Sequence, residues 1–450
     1  MNGVRELLKK GVRVGFFGLG KSNLALLRCL PLSRCVITLR SDEKIPREAV
    51  PTELPIARIL ERDLARRGID DDILFFSPSV RREGEELRLA KERGCIFTSD
   101  AELFTEESTR PIFAVSGSDG KSTTASMTHL MLGGSVLAGN IGKPMVEALW
   151  ARCNSYVVEL SSFMLTYAKV RARRACITNV TQNHLDWHSS FEEYANAKLS
   201  LAKSADECVL NADDEISAEY ARKNRVFAII SSRKEPKEIR QDFGAEVIMT
   251  LGRAGIERNG ELFIPFESIK HKEEHNLKNL MMAAAMADGF SSHEQIREAA
   301  ATFSSLAHRC EAFATIDGIE YIDSSIDSSP SRTAQTLSSL GRRVVLLMGG
   351  RSKGADMRVM GEAVKKYTER AIIFGENREE IFEAIKDCTR CEICSDMHAA
   401  VMLATEAARE CKTVLLSPAS TSYDAFHSFE ERGKCFKDIV IKNAKTSENR

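Results

Sequence analysis

The stretch AVSGSDGKSTT, residues 114–124, lies between an apolar run typical of a strand and a run typical of a helix. It contains G-x-x-G-K-S, which is shorter than the common nucleotide-binding loop G-x-x-x-x-G-K-[ST]. The context is still that of a phosphate site, because glycines let backbone N–H groups face a phosphate at a helix N-terminus. We expect Lys121 to reach the terminal phosphates and the hydroxyl of Ser122 or Thr123 to hold Mg²⁺.

Strand-like and helix-like runs alternate on both sides of this loop, which predicts parallel sheets wrapped by helices. A chain of 450 residues is longer than one hydrophobic core usually serves. The polar stretch TEESTRP and a composition break near FSSLAHRCEAF divide it into residues 1–108, 109–305 and 306–450. We expect an α/β protein with an N-terminal Rossmann-like domain, a central P-loop-type parallel-sheet ATPase domain and a C-terminal Rossmann-like domain.

The composition of the chain limits which binding partners and which cellular compartment we expect. The 63 basic and 64 acidic residues give a net charge of -1, so nothing favours nucleic acid or an anionic membrane as a partner. No apolar run approaches the length of a membrane span, and the first residues lack the apolar core of a signal peptide. The 12 cysteines are scattered as small apolar residues, which is typical of a reducing compartment. We expect a cytoplasmic monomer that acts on small molecules.

Two further patterns carry weaker signals. The turn GLGKSN after the first strand lacks the third glycine of a dinucleotide fingerprint, and no acid ends the following strand VITL. NAD binding is therefore disfavoured, while a phosphorylated ligand on the helix N-terminus stays plausible. Cys388, Cys391 and Cys394 have metal-like spacing but lack a fourth ligand nearby unless Asp396 or His398 serves. The stretch CEICSDM is also typical of a short strand, which favours free cysteine side chains over metal ligands.

Acidic and imidazole groups follow two strands of the central segment. Glu159 ends the apolar strand YVVEL, where a carboxylate suits the magnesium of a neighbouring phosphate loop. The turn NHLDWH after ACITNV places His184 and two further polar groups at the carboxyl end of a strand, where α/β sheets bind ligands. The helix that follows ends near Lys198.

The combination of GSDGKSTT, GNIGKP, VELSSF, NVTQNHLDWHSSFEEYANAK, NADD and HNLKN resembles the Mur ligase family. These are ATP-dependent amino-acid ligases of peptidoglycan synthesis, and their phosphate loop is the short form. GGRSKGADM and LLSPASTSYDAFHSFEERGKCFKDIV resemble the members that add D-glutamate. The resemblance implies an ADP-forming ligase that joins D-glutamate to UDP-N-acetylmuramoyl-L-alanine through an acyl phosphate. It covers nearly the whole chain and is loosest in the first domain.

The resemblance also implies site residues. ATP would contact Gly117, Ser118, Asp119, Gly120, Lys121, Ser122, Thr123, Asn276, Asn279, Arg309 and Asp323. Two magnesium ions would be held by Ser122, Glu159, His184 and Lys198, the last as a carbamate. Catalysis would depend on Lys121, Glu159, His184 and Lys198. The uridine-diphosphate substrate would contact Ser22, Asn23, Arg40, Ser41 and Asn140. D-Glutamate would contact Lys353, Ser422 and Phe429.

The sequence departs from the family pattern at three places. The common D-S-K-[AG]-T-N stretch is here DSSIDS, so Ser325 replaces a lysine and Asp327 a threonine. A dicarboxylate substrate needs positive charge nearby, and our hypothesis is that Arg332 supplies it. Glu274 replaces the glycine before His-Asn. Asp119 brings an acid into the phosphate loop, where we expect its side chain to turn away or cap the helix.

Four alternatives stay open at this point. The fold also suits a folylpolyglutamate-type ligase or a Mur ligase that adds another amino acid. A non-catalytic paralogue could bind a UDP-sugar, although the retained Lys121, Glu159, His184 and Lys198 speak against it. A generic P-loop ATPase or kinase would leave the Lys198 helix and the C-terminal stretch unexplained. Fold alone does not choose among them, because α/β sheets host many functions.

Overall fold

The computed structural model describes residues 3–45, 50–182, 187–270, 272–303, 307–352 and 354–448. The chain divides into two compact units, residues 1–303 and residues 304–450. The first unit contains two sheets and the second contains one. The architecture is α/β with mostly parallel strands, as the alternation predicted. The three-domain limits drawn from the sequence stay a prediction.

The N-terminal sheet is parallel throughout, in the order β3-β2-β1-β4-β5. Its strands are β1 (Arg13–Phe17), β2 (Val36–Ser41), β3 (Ile56–Glu61), β4 (Ile73–Phe76) and β5 (Ile96–Thr98). Its helices are α1 (Val4–Lys10), α2 (Lys21–Cys29), α3 (Glu85–Glu92) and α4 (Asp100–Glu107). The strand order reverses between β1 and β4, and the loops after these two strands therefore open a crevice where α/β sheets bind ligands.

The central sheet has the order β14-β13-β12-β11-β10-β9-β6-β8-β7. Its strands are β6 (Ile112–Ser116), β7 (Ser135–Gly139), β8 (Ser155–Glu159), β9 (Arg174–Ile177), β10 (Cys208–Asn211), β11 (Val226–Ser231), β12 (Ala245–Leu251), β13 (Gly255–Arg258) and β14 (Glu261–Pro265). Its helices are α5 (Lys121–Leu132), α6 (Met145–Ala148), α7 (Ser162–Tyr167), α8 (Phe191–Ser204), α9 (Glu215–Lys223), α10 (Pro236–Asp242), α11 (Glu274–Ala287) and α12 (His293–Thr302). β13 pairs antiparallel with both β12 and β14, and the other strand pairs of the sheet are parallel.

The second unit has a sheet in the order β15-β16-β20-β17-β18-β19. Its strands are β15 (Glu311–Ile316), β16 (Ile319–Asp323), β17 (Val344–Gly349), β18 (Thr368–Phe374), β19 (Arg390–Ile393) and β20 (Thr413–Leu416). Its helices are α13 (Pro330–Leu340), α14 (Gly361–Tyr367), α15 (Arg378–Ile385), α16 (Met397–Ala407) and α17 (Phe429–Glu448). The last strand, β20, lies between β16 and β17, and only the edge strand β15 is antiparallel.

The central sheet is buried on both faces, which is why its inner strands are continuous apolar runs. β6 and β8 are buried at every residue. Arg174, at the start of β9, fixes one covering helix: its Nη1 donates to the carbonyl oxygens of Ala285 (2.8 Å) and Asp288 (2.7 Å) at the end of α11. A cation suits a helix C-terminus, where the last carbonyl groups lack partners. This contact holds α11 against the sheet and beside α5.

Cys388, Cys391 and Cys394 are divided between the two faces of the C-terminal sheet. Cys388 and Cys391 pack with the core on one face of the sheet, whereas Cys394 packs with the core on the other. Their separation follows from the alternation of side chains along β19. The strand interpretation of CEIC is thus confirmed.

Membrane insertion of a helix finds no support in the parts of the chain that the structure describes. None of the helices there combines the length and the apolar character that crossing a bilayer requires.

Arg40 and Asn23 lie inside the N-terminal part. Arg40 is fully buried; its guanidinium pairs with Asp71 (Nη2 to Oδ2, 2.9 Å) and donates to the carbonyl oxygens of Ala65, Arg67 and Gly68. The Asn23 amide is equally buried and donates to the carbonyl oxygens of Phe17 (3.1 Å) and Gly18 (2.7 Å). Both side chains were expected to face the uridine-diphosphate substrate, and the structure gives them intramolecular partners instead.

Replacing Arg40 by alanine is expected to lower the free energy of unfolding by about 3–5 kcal/mol, because it leaves Asp71 buried without its partner. The matched control is Arg88→Ala, since Arg88 is half-exposed and, among the described residues, forms its ion pairs with Glu85 and Glu92 of α3. Urea unfolding followed by circular dichroism measures both. If Arg40→Ala kept its stability but lost affinity for uridine diphosphate, the result would indicate that Arg40 binds the ligand rather than stabilising the fold.

Candidate active site

The phosphate loop lies at the point where the central strand order reverses. β6 leads into it, and its neighbours β8 and β9 belong to opposite halves of the sheet. The carboxyl ends of these three strands meet at one edge, where open α/β sheets place their ligands. The predicted strand, loop and helix context of residues 114–124 is confirmed.

Two glycines give the loop its shape. Gly117 has φ +144° and Gly120 has φ +76°, conformations that side-chain-bearing residues rarely adopt. Space is equally restrictive. A Cβ at Gly117 would lie 1.8 Å from Thr178 Oγ1, and one at Gly120 would lie 2.2 Å from Asn279 Oδ1. The backbone therefore packs directly against two polar side chains, Thr178 just after β9 and Asn279 of α11.

The residues after β9 hold the loop from below. The amide of Ser118 donates to Asn179 O (2.9 Å), and the amide of Asp119 donates to Asn179 Oδ1 (2.9 Å). Thr178 Oγ1 donates to Asp119 O (2.6 Å), and Ser118 Oγ both donates to Thr181 O and accepts from Thr181 N (2.9 Å each). The TNVT run thus serves as a template for the loop, a role its sequence alone did not reveal.

The polar side chains of the phosphate loop differ in their exposure and in their hydrogen bonds. Lys121 Nζ donates to Ser118 O (2.7 Å), which folds the side chain back over the loop. Ser122 is buried and Thr123 is half-buried in the first turn of α5. The Asp119 side chain is exposed, and no side chain among the described residues caps α5. The structure therefore fits the expectation that the Asp119 carboxylate turns away from the phosphates rather than capping the helix.

Lys198 lies beneath the phosphate loop. Its side chain is buried, and Nζ donates to Gly117 O (2.6 Å). Burial, and then the nearby charge of Lys121, lower the pKa of Lys198 to about 6. The amine is consequently neutral at physiological pH, unlike that of an exposed lysine.

Tyr194 supports both Lys198 and the loop, and we did not anticipate it from the sequence. The Lys198 amine lies 4.5 Å from the centre of the Tyr194 ring, and the Tyr194 hydroxyl lies 2.7 Å from Ser118 Oγ. Tyr194 precedes Lys198 by four residues, which places both on one face of α8. That spacing was the signal available in the sequence.

Glu159 and Asn140 are paired at the edge of the loop. Asn140 Nδ2 donates to Glu159 Oε1 (3.0 Å), and Asn140 N donates to Glu159 O (2.9 Å). Glu159 is buried, yet its Oε2 accepts no hydrogen bond from any residue that the structure describes. A buried carboxylate oxygen without a donor is costly unless a cation binds it. A carboxylate oxygen and a serine hydroxyl are hard oxygen donors of the kind that Mg²⁺ prefers, so Glu159 and Ser122 fit the ion by their chemistry.

The helix α11 carries the adenine-side candidates. Asn279 is buried, and its Oδ1 accepts from Thr124 Oγ1 (3.4 Å), which ties it to α5. Asn276 is half-buried and donates to Glu273 Oε2 (3.0 Å). Glu274, which departs from the family pattern, pairs with Lys278 (2.8 Å) and accepts from Ser232 Oγ (3.0 Å). Its carboxylate therefore stabilises the first turn of α11.

The crevice of the N-terminal part is lined by aromatic and other apolar side chains together with a few polar groups. Ser22, at the start of α2, contributes to it together with Ser77 and Pro78 after β4 and Phe163 and Tyr167 from α7. Ser41 is half-buried at the end of β2 and accepts from the amide of Glu43 (3.1 Å). Ser22 thus faces the crevice that Arg40 and Asn23 do not reach.

In the second unit, Asp323 is the centre of a charged cluster. It is fully buried and accepts from His308 Nδ1 (2.6 Å), and Lys437 Nζ lies 3.6 Å away and 2.5 Å from Glu311. Burial raises the pKa of Asp323, but hydrogen bonds from His308 and the Ser325 amide outweigh it and hold that pKa below its ordinary value. Among the described residues, His308, Glu311 and Asp323 are also the ones close enough together for a metal, and the Lys437 ammonium already pairs with both carboxylates. Arg309 is exposed beside them.

The altered stretch after Asp323 is built into the protein interior. Asp327 is buried and accepts from Thr336 Oγ1 and Ser417 Oγ (2.8 Å each). Arg432 of α17 is fully buried and donates to Ser325 O (2.8 Å), and burial lowers its pKa to about 10. Arg332 is exposed, and its Nη1 donates to Ile326 O (3.3 Å).

Two of the three residues expected to bind D-glutamate, Ser422 and Phe429, lie within the part of the chain that the structure describes. Ser422 is buried, and Phe429 is half-buried with its ring centre 6.3 Å from that of His308. Lys353 and His184 lie outside the described residues.

A phosphate loop with its lysine, a magnesium-competent carboxylate and a neutral buried amine define an ATP-using enzyme of phosphoryl transfer. Family models agree: Mur ligase middle domain matches residues 115–287, and Mur ligase, glutamate ligase domain matches residues 308–420. The chain is 32% identical to UDP-N-acetylmuramoylalanine–D-glutamate ligase of Ruminiclostridium cellulolyticum, over 98% of this chain and 99% of that protein. It is 34% identical to the ligase of the same name from Acetivibrio thermocellus, over 82% of each. The chain belongs to the Mur ligase family, whose members are ATP-dependent, magnesium-using amide ligases.

Solved structures agree on the fold. UDP-N-acetylmuramate-alanine ligase from Thermotoga maritima superposes with a TM-score of 0.58 at 17% identity, covering 96% of this chain and 100% of that one. A second peptidoglycan ligase, MurF from Acinetobacter baumannii, gives 0.54 at 14% identity over 95% of this chain and 93% of its own.

Replacing Gly117 by alanine is expected to abolish ATP binding, because the new Cβ collides with Thr178 and the backbone is strained by about 1–3 kcal/mol. Gly133→Ala is the matched control: it ends the same helix with φ +49°, but nothing lies within 4 Å of its Cβ position. Isothermal titration with a non-hydrolysable ATP analogue measures both. Equal affinity in the two variants would contradict the close packing of the loop.

Proposed function

We propose that this enzyme joins D-glutamate to UDP-N-acetylmuramoyl-L-alanine in peptidoglycan synthesis, with ATP converted to ADP and phosphate. The observation that carries the proposal is the near full-length similarity to ligases named for that reaction. The C-terminal stretch LLSPASTSYDAFHSFEERG supports it, since it resembles the members that add D-glutamate. The buried site at the phosphate loop supplies the chemistry.

In the first step, a carboxylate oxygen of the substrate attacks the γ-phosphorus and ADP leaves, which yields an acyl phosphate. Backbone N–H groups of the phosphate loop and Lys121 bind the phosphates and offset the charge that develops on them. Magnesium, held by Ser122 and Glu159, would neutralise the phosphate oxygens during transfer. Asn140 fixes the Glu159 carboxylate in place.

In the second step, the amine of glutamate attacks the activated carbonyl carbon, and phosphate leaves as the amide bond forms. The acyl phosphate must be kept from water, which favours a closed arrangement around it. We propose that Lys353, Ser422 and Phe429 bind the amino acid and that Arg332 replaces the charge lost at Ser325.

The other substrate contacts are also proposals. Asn276 and Asn279 would lie on the adenine side of ATP, Arg309 and Asp323 would also contact ATP, and Asn140 would lie near the muramoyl arm. For the uridine diphosphate, Ser22 and Ser41 are the candidates with reachable side chains. We further propose that the protein is a cytoplasmic monomer. The near-neutral charge supports the proposal that it has no nucleic-acid or membrane partner.

Phosphate release by the purified protein tests the proposal, with ATP, Mg²⁺, UDP-N-acetylmuramoyl-L-alanine and each glutamate enantiomer. Release should require both the nucleotide substrate and D-glutamate. In Arg332→Ala, the KM for D-glutamate should rise about 10-fold, as loss of a charge-assisted contact of 1.4 kcal/mol implies. Release with a different amino acid would mean that DSSIDS changed the specificity, and no release at all would favour a binding paralogue.

We also propose that Lys198 reacts with CO₂ to form a carbamate, which with His184 would hold a second magnesium ion. The neutral amine attacks the carbon of CO₂ and loses a proton, which leaves an anionic oxygen donor. The low pKa of Lys198 makes the required neutral amine abundant above about pH 6.

Activity is therefore expected to fall in CO₂-free buffer at pH 7.5 and to return with bicarbonate, and ¹³C-bicarbonate should give a carbamate NMR signal. Below about pH 6 the amine is protonated, so the signal should disappear. Lys198→Met should remove the signal, whereas Lys203→Met, on the exposed face of α8, should keep it. Activity that is indifferent to bicarbonate would count against the carbamate.

A further inference from the structure

The loop after β4 reaches from the N-terminal part to the central part. Trp187 Nε1 donates to Ser79 O (2.8 Å), and Arg81 Nη1 donates to Trp187 O (2.6 Å). The Arg81 guanidinium also lies over the Trp187 ring, 4.7 Å from its centre. We name Ser79, Arg81 and Trp187 the clasp.

Further contacts anchor the clasp to α7 and α8. Arg81 Nη1 lies 3.4 Å from Glu193 Oε1, in the first turn of α8. Glu193 Oε2 accepts from both the amide and the hydroxyl of Ser189 (2.6 Å each), so this carboxylate is fixed at the start of that helix. The amide of Arg82 donates to Tyr167 Oη (3.1 Å) at the end of α7. The loop is therefore held at three points of the central part.

An aromatic column continues from the clasp to the phosphate loop. The Trp187 ring lies 4.6 Å from Phe163 and 4.7 Å from His188, measured between ring centres. His188 is buried, lies 5.2 Å from the Tyr194 ring, and its Nε2 is 3.0 Å from Ser162 Oγ. Tyr194 in turn contacts Lys198 and the hydroxyl of Ser118.

The other end of the clasp borders the N-terminal crevice. Ser79 follows Ser77 and Pro78, which line that crevice with Ser22. One short set of contacts thus joins the crevice to the side chains that support Lys198. In a reaction between a group carried by one part and a phosphate bound by the other, their relative placement sets the rate.

We propose that Arg81 is a positioning residue: the clasp fixes the crevice loop against the aromatic column, and so aligns the reacting carboxyl of a uridine-diphosphate-linked substrate with the phosphate loop. This role rests on the proposed function. Arg81 contacts neither ATP nor the reacting atoms in this scheme, and acts through Trp187 and Glu193. A lysine could pair with Glu193 but could not reproduce the planar stack and the fork of N–H groups.

Steady-state kinetics test the role of Arg81. Arg81→Ala should lower kcat about 10- to 100-fold, the cost of a misplacement of about 1 Å, while the KM for ATP stays within about twofold. Arg81→Lys should recover only part of the loss. The control Arg88→Ala, from the same part of the chain but with pairs confined to α3, should match wild type. A wild-type kcat in Arg81→Ala, or an equal loss in Arg88→Ala, would overturn the proposal.

Tryptophan fluorescence provides a test that does not depend on ligase activity. The chain has two tryptophans, so in Trp150→Phe the emission comes from Trp187 alone. Uridine diphosphate should shift that emission, because it binds the crevice that the clasp borders, and Arg81→Ala should abolish the shift. If wild type shows the shift but no D-glutamate-dependent phosphate release, the proposed reaction fails while the clasp stands. If uridine diphosphate leaves the emission unchanged, or if the shift survives in Arg81→Ala, the clasp fails.

Discussion

The whole site depends on the fact that two basic side chains approach one short loop, and only one of them is partly open to water. Lys121 folds over the loop and Lys198 lies buried beneath it, hydrogen-bonded to Gly117 O. Charge on both would be costly in this setting, so burial and Lys121 together keep the second amine neutral. The ring of Tyr194 lies over the Lys198 amine, and the Gly117 carbonyl oxygen accepts its hydrogen bond, so both groups contribute to its burial.

The sheet topology explains why these groups meet although they are far apart in sequence. β6, β8 and β9 are neighbours, so the loop after β6, Glu159 at the end of β8 and the template after β9 share one edge. α11 contributes Asn279 from residues much later in the chain, and Arg174 on β9 holds that helix at its other end. Parallel strands with helical crossovers bring together only the carboxyl ends of strands, which concentrates polar chemistry at one edge and leaves apolar packing elsewhere.

Much of this arrangement could be predicted from residue types, and the failures have physical causes. Buried parallel strands are continuous apolar runs, so the alternating architecture and the phosphate loop were recognisable. The antiparallel pairs β13–β14 and β15–β16 were missed, although Asn259-Gly260 and Asp317-Gly318 have the positive φ angles of tight hairpin turns and were the available signals. The burial of Arg40 was not predictable, because its partners are carbonyl groups of a distant loop and carry no side-chain signature.

The place of β20 in its sheet has a consequence for how the protein is made. The ribosome releases the chain from the N-terminus, so the first two sheets can form while the rest is still being synthesised. The third cannot, because β20, near the end of the chain, lies in its middle between β16 and β17. Arg432, which binds Ser325 O, follows later still. The edges of β16 and β17 therefore stay unpaired until β20 has been synthesised. Unpaired strand edges tend to aggregate, so this unit of the nascent chain is the one that a chaperone would need to protect.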